Sequence, residues 1–164
     1  MSIARRQFVG LLVAVLCAGG ASAETWRTYQ NPRFGTIGQY PAGWTMGPAP
    51  ENDDGRVFTS PDGGANLTIS GIRFMQSRTE EFAILLQPHD GETIVYRRQG
   101  PDWVVVSGTN GDRIFYRKSL LTCGVWNDMS LDYPAADKAR FDPIVAHVAA
   151  SLKGTRGADG TPCR

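Results

Sequence analysis

The stretch Asp102–Pro134, DWVVVSGTNGDRIFYRKSLLTCGVWNDMSLDYP, carries three consecutive antiparallel strands in its pattern. Trp103–Val106 is an unbroken run of large and β-branched side chains, the composition of a strand buried on both faces. Asn110-Gly111 follows, a dipeptide that tolerates the positive φ angles of a type I′ hairpin. Arg113–Leu121 returns as the second strand. Beyond Cys123-Gly124 the spacing becomes strictly two. Val125, Met129, Leu131 and Tyr133 face one way, and Trp126, Asp128, Ser130 and Asp132 the other. That alternation describes a strand with one face on a core and one toward water.

Upstream, Phe34–Tyr40, Trp44–Met46, Arg56–Ser60, Ala65–Phe74 and Glu92–Arg98 read as further strands, punctuated by Pro41, Gly55, Pro61-Asp62-Gly63-Gly64 and His89-Asp90-Gly91. Glu24–Tyr29 reads as a lead-in without structure of its own. A first helix is expected between a Ser77 or Thr79 cap and Pro88, with Glu80 and Glu81 in its first turn and Phe82, Leu85 and Leu86 on one face. After the third strand, Pro134–Arg140 starts a helical region, and Asp142-Pro143 reads as a fresh cap and first turn. Phe141, Ile144, Val145, Val148, Ala149 and Leu152 then share one side, and Gly154 ends the helix. The expected class is α+β: one antiparallel sheet of six to seven strands flanked by helices, in one domain over residues 24–164.

The chain has 164 residues, with 17 basic and 16 acidic side chains. Arg5-Arg6, the apolar run Phe8–Ala18 and Ala21-Ser22-Ala23 make residues 1–23 a signal peptide cleaved after Ala23, by the general secretory or the twin-arginine route. A lipid anchor on Cys17 is rejected because Leu16 and Ala14 fit a lipobox poorly. The mature chain keeps 15 basic residues against 16 acidic ones. This balance offers no electrostatic case for nucleic acid or an anionic membrane. No second apolar run of membrane length follows, so a periplasmic or secreted monomer is expected.

Two cysteines remain, Cys123 and Cys163. In an exported chain they most simply pair, pinning a glycine-rich tail that would otherwise fray. A reactive thiol pair would need an electropositive site or a Cys-x-x-Cys spacing, and neither occurs. The loop model assigns such a bridge roughly 4 kcal/mol.

Phe34-Gly35 leading to Tyr40-Pro41 and Trp44, Asp54–Phe58 with Ser60–Gly63, Asp102-Trp103 through Ser107-Gly108, Phe115-Tyr116, Cys123, Tyr133-Pro134 and Phe141–Val145 together resemble an uncharacterised family of small exported bacterial proteins. More distantly, the order of elements is similar to the PsbP-like fold of photosystem extrinsic subunits and a nuclear-import factor. The resemblance implies a binding or accessory role without a shared active site.

The chemistry-bearing residues are sparse. Glu51–Gly55 fails the EF-hand spacing, since Pro50 stands where an aspartate is needed, and an Asx-type turn is expected. Asn66-Leu67-Thr68 matches a glycosylation sequon but reads as strand. His89 and His147 have no second histidine or cysteine at metal-ligand spacing, and no Gly-x-Ser-x-Gly elbow occurs. No metal, cofactor or catalytic constellation is expected. The alternative, a small hydrolase, requires one of these histidines buried against a serine and an aspartate. Arg97, Arg98, Arg113, Arg117 and Lys118 lie on neighbouring strands and read as a basic stripe for an anionic small ligand or protein partner. Four tryptophans read as core or edge cover, with Trp126 expected on a wet face beside Asp128 and Ser130.

Overall fold

The computed structural model describes residues 24–163; the signal-peptide reading, with cleavage at Ala23, lies outside the described residues. In chain order the elements are β1 (Trp26–Gln30), β2 (Thr36–Pro41), β3 (Thr45–Met46), β4 (Gly55–Thr59), β5 (Asn66–Arg73), α1 (Arg78–Leu85), β6 (Glu92–Gln99), β7 (Trp103–Asn110), β8 (Arg113–Thr122), β9 (Val125–Pro134), α2 (Lys138–Ser151) and β10 (Lys153–Gly154). Seven strands pair in the order β3-β4-β5-β9-β8-β7-β6, all antiparallel. The three strands expected over 102–134 are its centre, β7-β8-β9. The α+β expectation holds, and a second, smaller sheet β1-β2-β10 is added to it. The lead-in at Trp26 is thus a strand, paired along its length with β2.

The turn chemistry differs from expectation in one place. Asn110 and Arg113 are paired, so the turn residues are Gly111 and Asp112, and only Gly111 has positive φ (60°). This is the type II′ pattern, with glycine first, and not the type I′ expected from Asn110-Gly111. The next hairpin is the type I′ one. Cys123 and Gly124 fill it at φ 51° and 75°.

One face of the large sheet carries the main core. Phe58, Leu67, Ile69, Met129 and Leu131 point into it, and α2 closes it with Phe141, Ile144, Val145 and Val148. The small sheet lies beside α2 and contributes Tyr29 and Tyr40, both packed on Phe58. Asn127 is the polar exception on this face and is fully buried. Thr36 Oγ1 donates to its Oδ1 at 2.7 Å, and its Nδ2 reaches the Leu120 and Val125 carbonyls. Every polar atom of that amide is satisfied, so it ties β2 to β9 without a burial penalty.

Helix α2 runs without a break through Pro143, preceded by a 3₁₀ turn at Ala135–Asp137. Asp142 is therefore not a cap; its carboxylate takes Lys138 one turn back, at 2.6 Å. Proline here lacks the N–H that would meet the Ala139 carbonyl, one bond that the packing of Phe141 and Ile144 outweighs. At the other end Lys118, reaching up from β8, donates to the Ala149 carbonyl at 2.7 Å. That carbonyl is one of the orphans of a helix C-terminus. Lys118→Met keeps the apolar stem and removes the donor, and should cost about 1 kcal/mol in urea unfolding. An unchanged midpoint would mean that water satisfies the carbonyl equally well.

Candidate functional site

Strand β9 alternates toward the second face through Trp126, Asp128, Ser130 and Asp132, and these four record where that face stops being covered. Helix α1 has only eight residues, about 12 Å of helix. Its start is firmly capped: Ser77 and Glu80 form a reciprocal capping box. Phe82 drops from it onto Trp126, edge to face at 5.3 Å, with Val104, Val106 and Phe115 around them. Trp126 is only 1% exposed. The expectation of a wet face there is corrected: α1, remote in sequence, lies over it. Past Asp128 the helix runs out, and Ser130 and Asp132 are partly buried at the edge of its cover.

Beyond α1 the uncovered face forms a trough. One cross-strand row runs Val57, Thr68, Ser130, Arg117, Val106, Arg97, each paired with the next. The adjacent row runs Gly55, Ser70, Asp128, Ser119, Val104, Gln99. Three adjoining cavities follow these rows. A volume of about 370 Å³ lies between the Pro48–Pro50 loop and Thr68. Thr68 also lines the next, of about 460 Å³. His89, Arg117 and Ser130 are shared by that one and a third, of about 210 Å³, tucked under α1 over Asp128.

Asp128 is the singular residue of the trough. Although the residue keeps partial exposure, its Oδ1 is sealed from solvent and has no hydrogen-bond partner. The Trp126 indole N–H is the other such atom among the described residues. Burial pushes the Asp128 carboxyl up to about 6; the Ser119 hydroxyl opposite works against this, and the charge of Glu81 adds to it. At neutral pH the sheet thus holds a desolvated carboxylate beside a cavity, hydrogen-bonded by Ser119 and without an ion-pair partner among the described residues.

The cations beside it are already engaged. Arg117 Nη1 contacts both Glu92 oxygens at 2.5 and 2.6 Å, its Nη2 donates to the Gln87 carbonyl, and its guanidinium lies over the Phe115 ring. Burial works to raise the Glu92 carboxyl, but the His89 backbone N–H and the Arg117 guanidinium hold it below its ordinary value. Arg113 is paired with Asp132 and also reaches the Gly64 carbonyl.

The basic residues expected to form one stripe are divided by the register. Arg97, Arg113 and Arg117 project to the trough side. Arg98 and Lys118 project to the α2 side, with Lys118 spent on α2. No continuous stripe forms: on the trough side Arg113 and Arg117 are each paired with a carboxylate, and Arg97 stands apart on β6. Neither imidazole meets a serine. His89 is 70% exposed with Nδ1 3.8 Å from Glu92, while His147 stacks on Trp26 and contacts Gln39 Oε1 at 2.6 Å. No cluster of metal-ligating side chains occurs among the described residues. The 47–55 loop is turned by a backbone bond, Asp53 N–H to the Pro50 carbonyl, and its side chains pair with one another, Asn52 donating to Asp54 and Arg56 to Asp53, in place of the Asx-type turn expected there.

The disulfide joins Cys123 to Cys163, with Cα atoms 6.0 Å apart. It fastens the tail after β10 to the β8–β9 turn, at the far end of β9 from Asp132. No helix of the described residues is long and apolar enough to cross a membrane.

No protein-family model and no curated protein sequence matches the chain. Solved structures do. Cyanobacterial PsbP (CyanoP) from Synechocystis sp. PCC 6803 superposes with a TM-score of 0.59 at 15% identity, covering 83% of this chain and 96% of that one. The Ran-binding protein Mog1p of Saccharomyces cerevisiae gives 0.53 at 7% identity, over 80% and 96% of the two chains. At these identities the likeness concerns the fold. The fold is PsbP-like.

Proposed function

We propose that this protein is an exported, non-catalytic accessory module that binds through the open trough of its seven-stranded sheet. The observation that carries the reading is the Asp128 carboxylate, which lines a cavity without an ion-pair partner and has one oxygen, Oδ1, buried with no hydrogen bond. Buried polar atoms are nearly always satisfied within the fold, and an exception in a cleft is most simply completed by a ligand. The PsbP-like fold, shared with a protein described as Ran-binding, supports an accessory role by analogy of fold alone. The disulfide and the N-terminal basic-apolar segment support export.

The test uses the full chain expressed in a bacterium and recovered without denaturant. Native mass spectrometry should find it processed in the periplasmic fraction, carrying an associated mass that Ser130→Trp, which plugs the trough, removes. Retention of that mass by the variant would place binding elsewhere. Fractionation with the cytosol would remove the export reading.

A further inference from the structure

The cavity over Asp128 is chemically lopsided. Its walls are Ile84 and Leu85 from α1 and Val104 and Val106 from β7, all apolar. Its polar floor is a carboxylate flanked by two hydroxyls, Ser119 and Ser130. Of the charges around it, Glu92 and Arg117 cancel in a close pair, and His89 beside them turns its ring toward Glu92. Glu81, from α1, adds a further negative charge that Asp128 feels. Arg97 lies farther along the same face, beyond Val106, and no cation among the described residues pairs with Asp128 itself, so an anion is repelled at the floor. A purely apolar occupant would leave the Asp128 charge uncompensated in an apolar enclosure, at a desolvation penalty.

A cation satisfies it, and the geometry selects the kind. A guanidinium is a planar fork suited to two parallel acceptors, whereas a primary ammonium presents three N–H donors arranged tetrahedrally. The cavity meets the Asp128 carboxylate, whose Oδ1 lies beneath its surface, and two hydroxyls on neighbouring strands, an acceptor set for the ammonium. The volume of about 210 Å³ suits a short aliphatic stem lying against the isoleucine, leucine and valine walls.

We propose that this cavity binds the primary ammonium head of an aliphatic amine, with Asp128 as counter-ion and Ser119 and Ser130 as its hydrogen-bond acceptors. The assignment rests on the trough being the binding surface and names the chemistry of what enters it. The stem then leads out past His89 into the wider, polar part of the trough, where the rest of the ligand lies.

The probe is n-butylammonium chloride, followed by backbone amide chemical shifts on the full mature chain at neutral pH. n-Butanol serves as the neutral probe of the same length. The ammonium should give saturable shifts centred on Ser119, Asp128 and Ser130, weakened at least about tenfold in Asp128→Asn, and the alcohol should give none. Equal binding of alcohol and ammonium, unchanged binding by Asp128→Asn, or no saturable shift with the ammonium would overturn the assignment. If the ammonium fails while Ser130→Trp still strips an associated mass, the trough binds something else and only the amine is lost; if both fail, the binding reading falls too. A capped Gly-Lys-Gly peptide separates the sources of the amine. Tighter binding than n-butylammonium identifies a lysine of a protein partner, and weaker binding a free amine; either supports the ammonium site.

Discussion

Replacing Glu92 with glutamine is expected to destabilise the fold by about 3 kcal/mol, the low end for breaking a buried ion pair because the trough keeps water near it. The Glu92 and Arg117 side chains are 9% and 15% exposed. Glutamine keeps the shape of Glu92 and one acceptor for the His89 N–H, 2.8 Å away in the native protein. It removes the charge that balances a guanidinium held over Phe115. The uncompensated cation is the cost, so Glu92→Gln with Arg117→Met should recover most of the loss. The pH dependence follows from the lowered carboxyl of Glu92. The stabilisation is fully present above the unfolded-state value of about 4.5 and is lost as pH falls through the still lower folded value. Guanidinium unfolding of the single and double variants measures this. A loss below about 1 kcal/mol in the single variant would mean that the pair is screened as surface pairs are.

Opening the disulfide should be of comparable size. Cys123 and Cys163 are 40 positions apart and enclose all of α2 and β10. The loop-entropy model then gives about 4 kcal/mol, with the mechanism of such stabilisation model-dependent. The bridge acts on a tail otherwise held by few bonds: Cys163 N–H to the Thr155 carbonyl and the small turn between Arg156 and Pro162. Cys123→Ser should lower the unfolding midpoint and abolish its sensitivity to a reductant. A midpoint independent of reductant in the native protein would contradict the bridge as a stabilising element.

The central hairpins were legible because each strand carries its own period. Val125 through Tyr133 alternates without interruption, and the register follows it. Two features were legible only in part. Arg97-Arg98 and Arg117-Lys118 are neighbours in sequence on strands, so each pair must split between the two faces; applying the period of two to these charges would have dissolved the stripe at once. Trp126 is different. Its neighbours Asp128 and Ser130 are polar, and nothing local shows that Phe82, 44 positions upstream, descends on it. The same remoteness hid the site: Asp128 reads as solvent-facing until α1 is placed. Strand β1 escaped because its apolar residues, Trp26 and Tyr29, are too few for a period. Its pairing is supplied by β2.

The wall of the trough is stable for identifiable reasons, while its floor holds a group that weakens the fold. An acid whose folded pKa is raised binds its proton more tightly when folded than when unfolded. For Asp128 the native protein therefore loses stability as pH rises from about 4 to about 6, and the deficit stays constant above. Its size at neutral pH is about 3 kcal/mol, and retaining such a group is expected where it serves binding.

The most direct test is the stability of Asp128→Asn against the native protein at two pH values, about 7.5 and about 4. The variant should be more stable at the higher pH, by about 3 kcal/mol, and the advantage should shrink toward zero at the lower. A variant less stable than the native protein at neutral pH would mean that the Asp128 carboxylate is satisfied within the fold. It would then be a structural residue, and the trough would lose the observation on which its function rests.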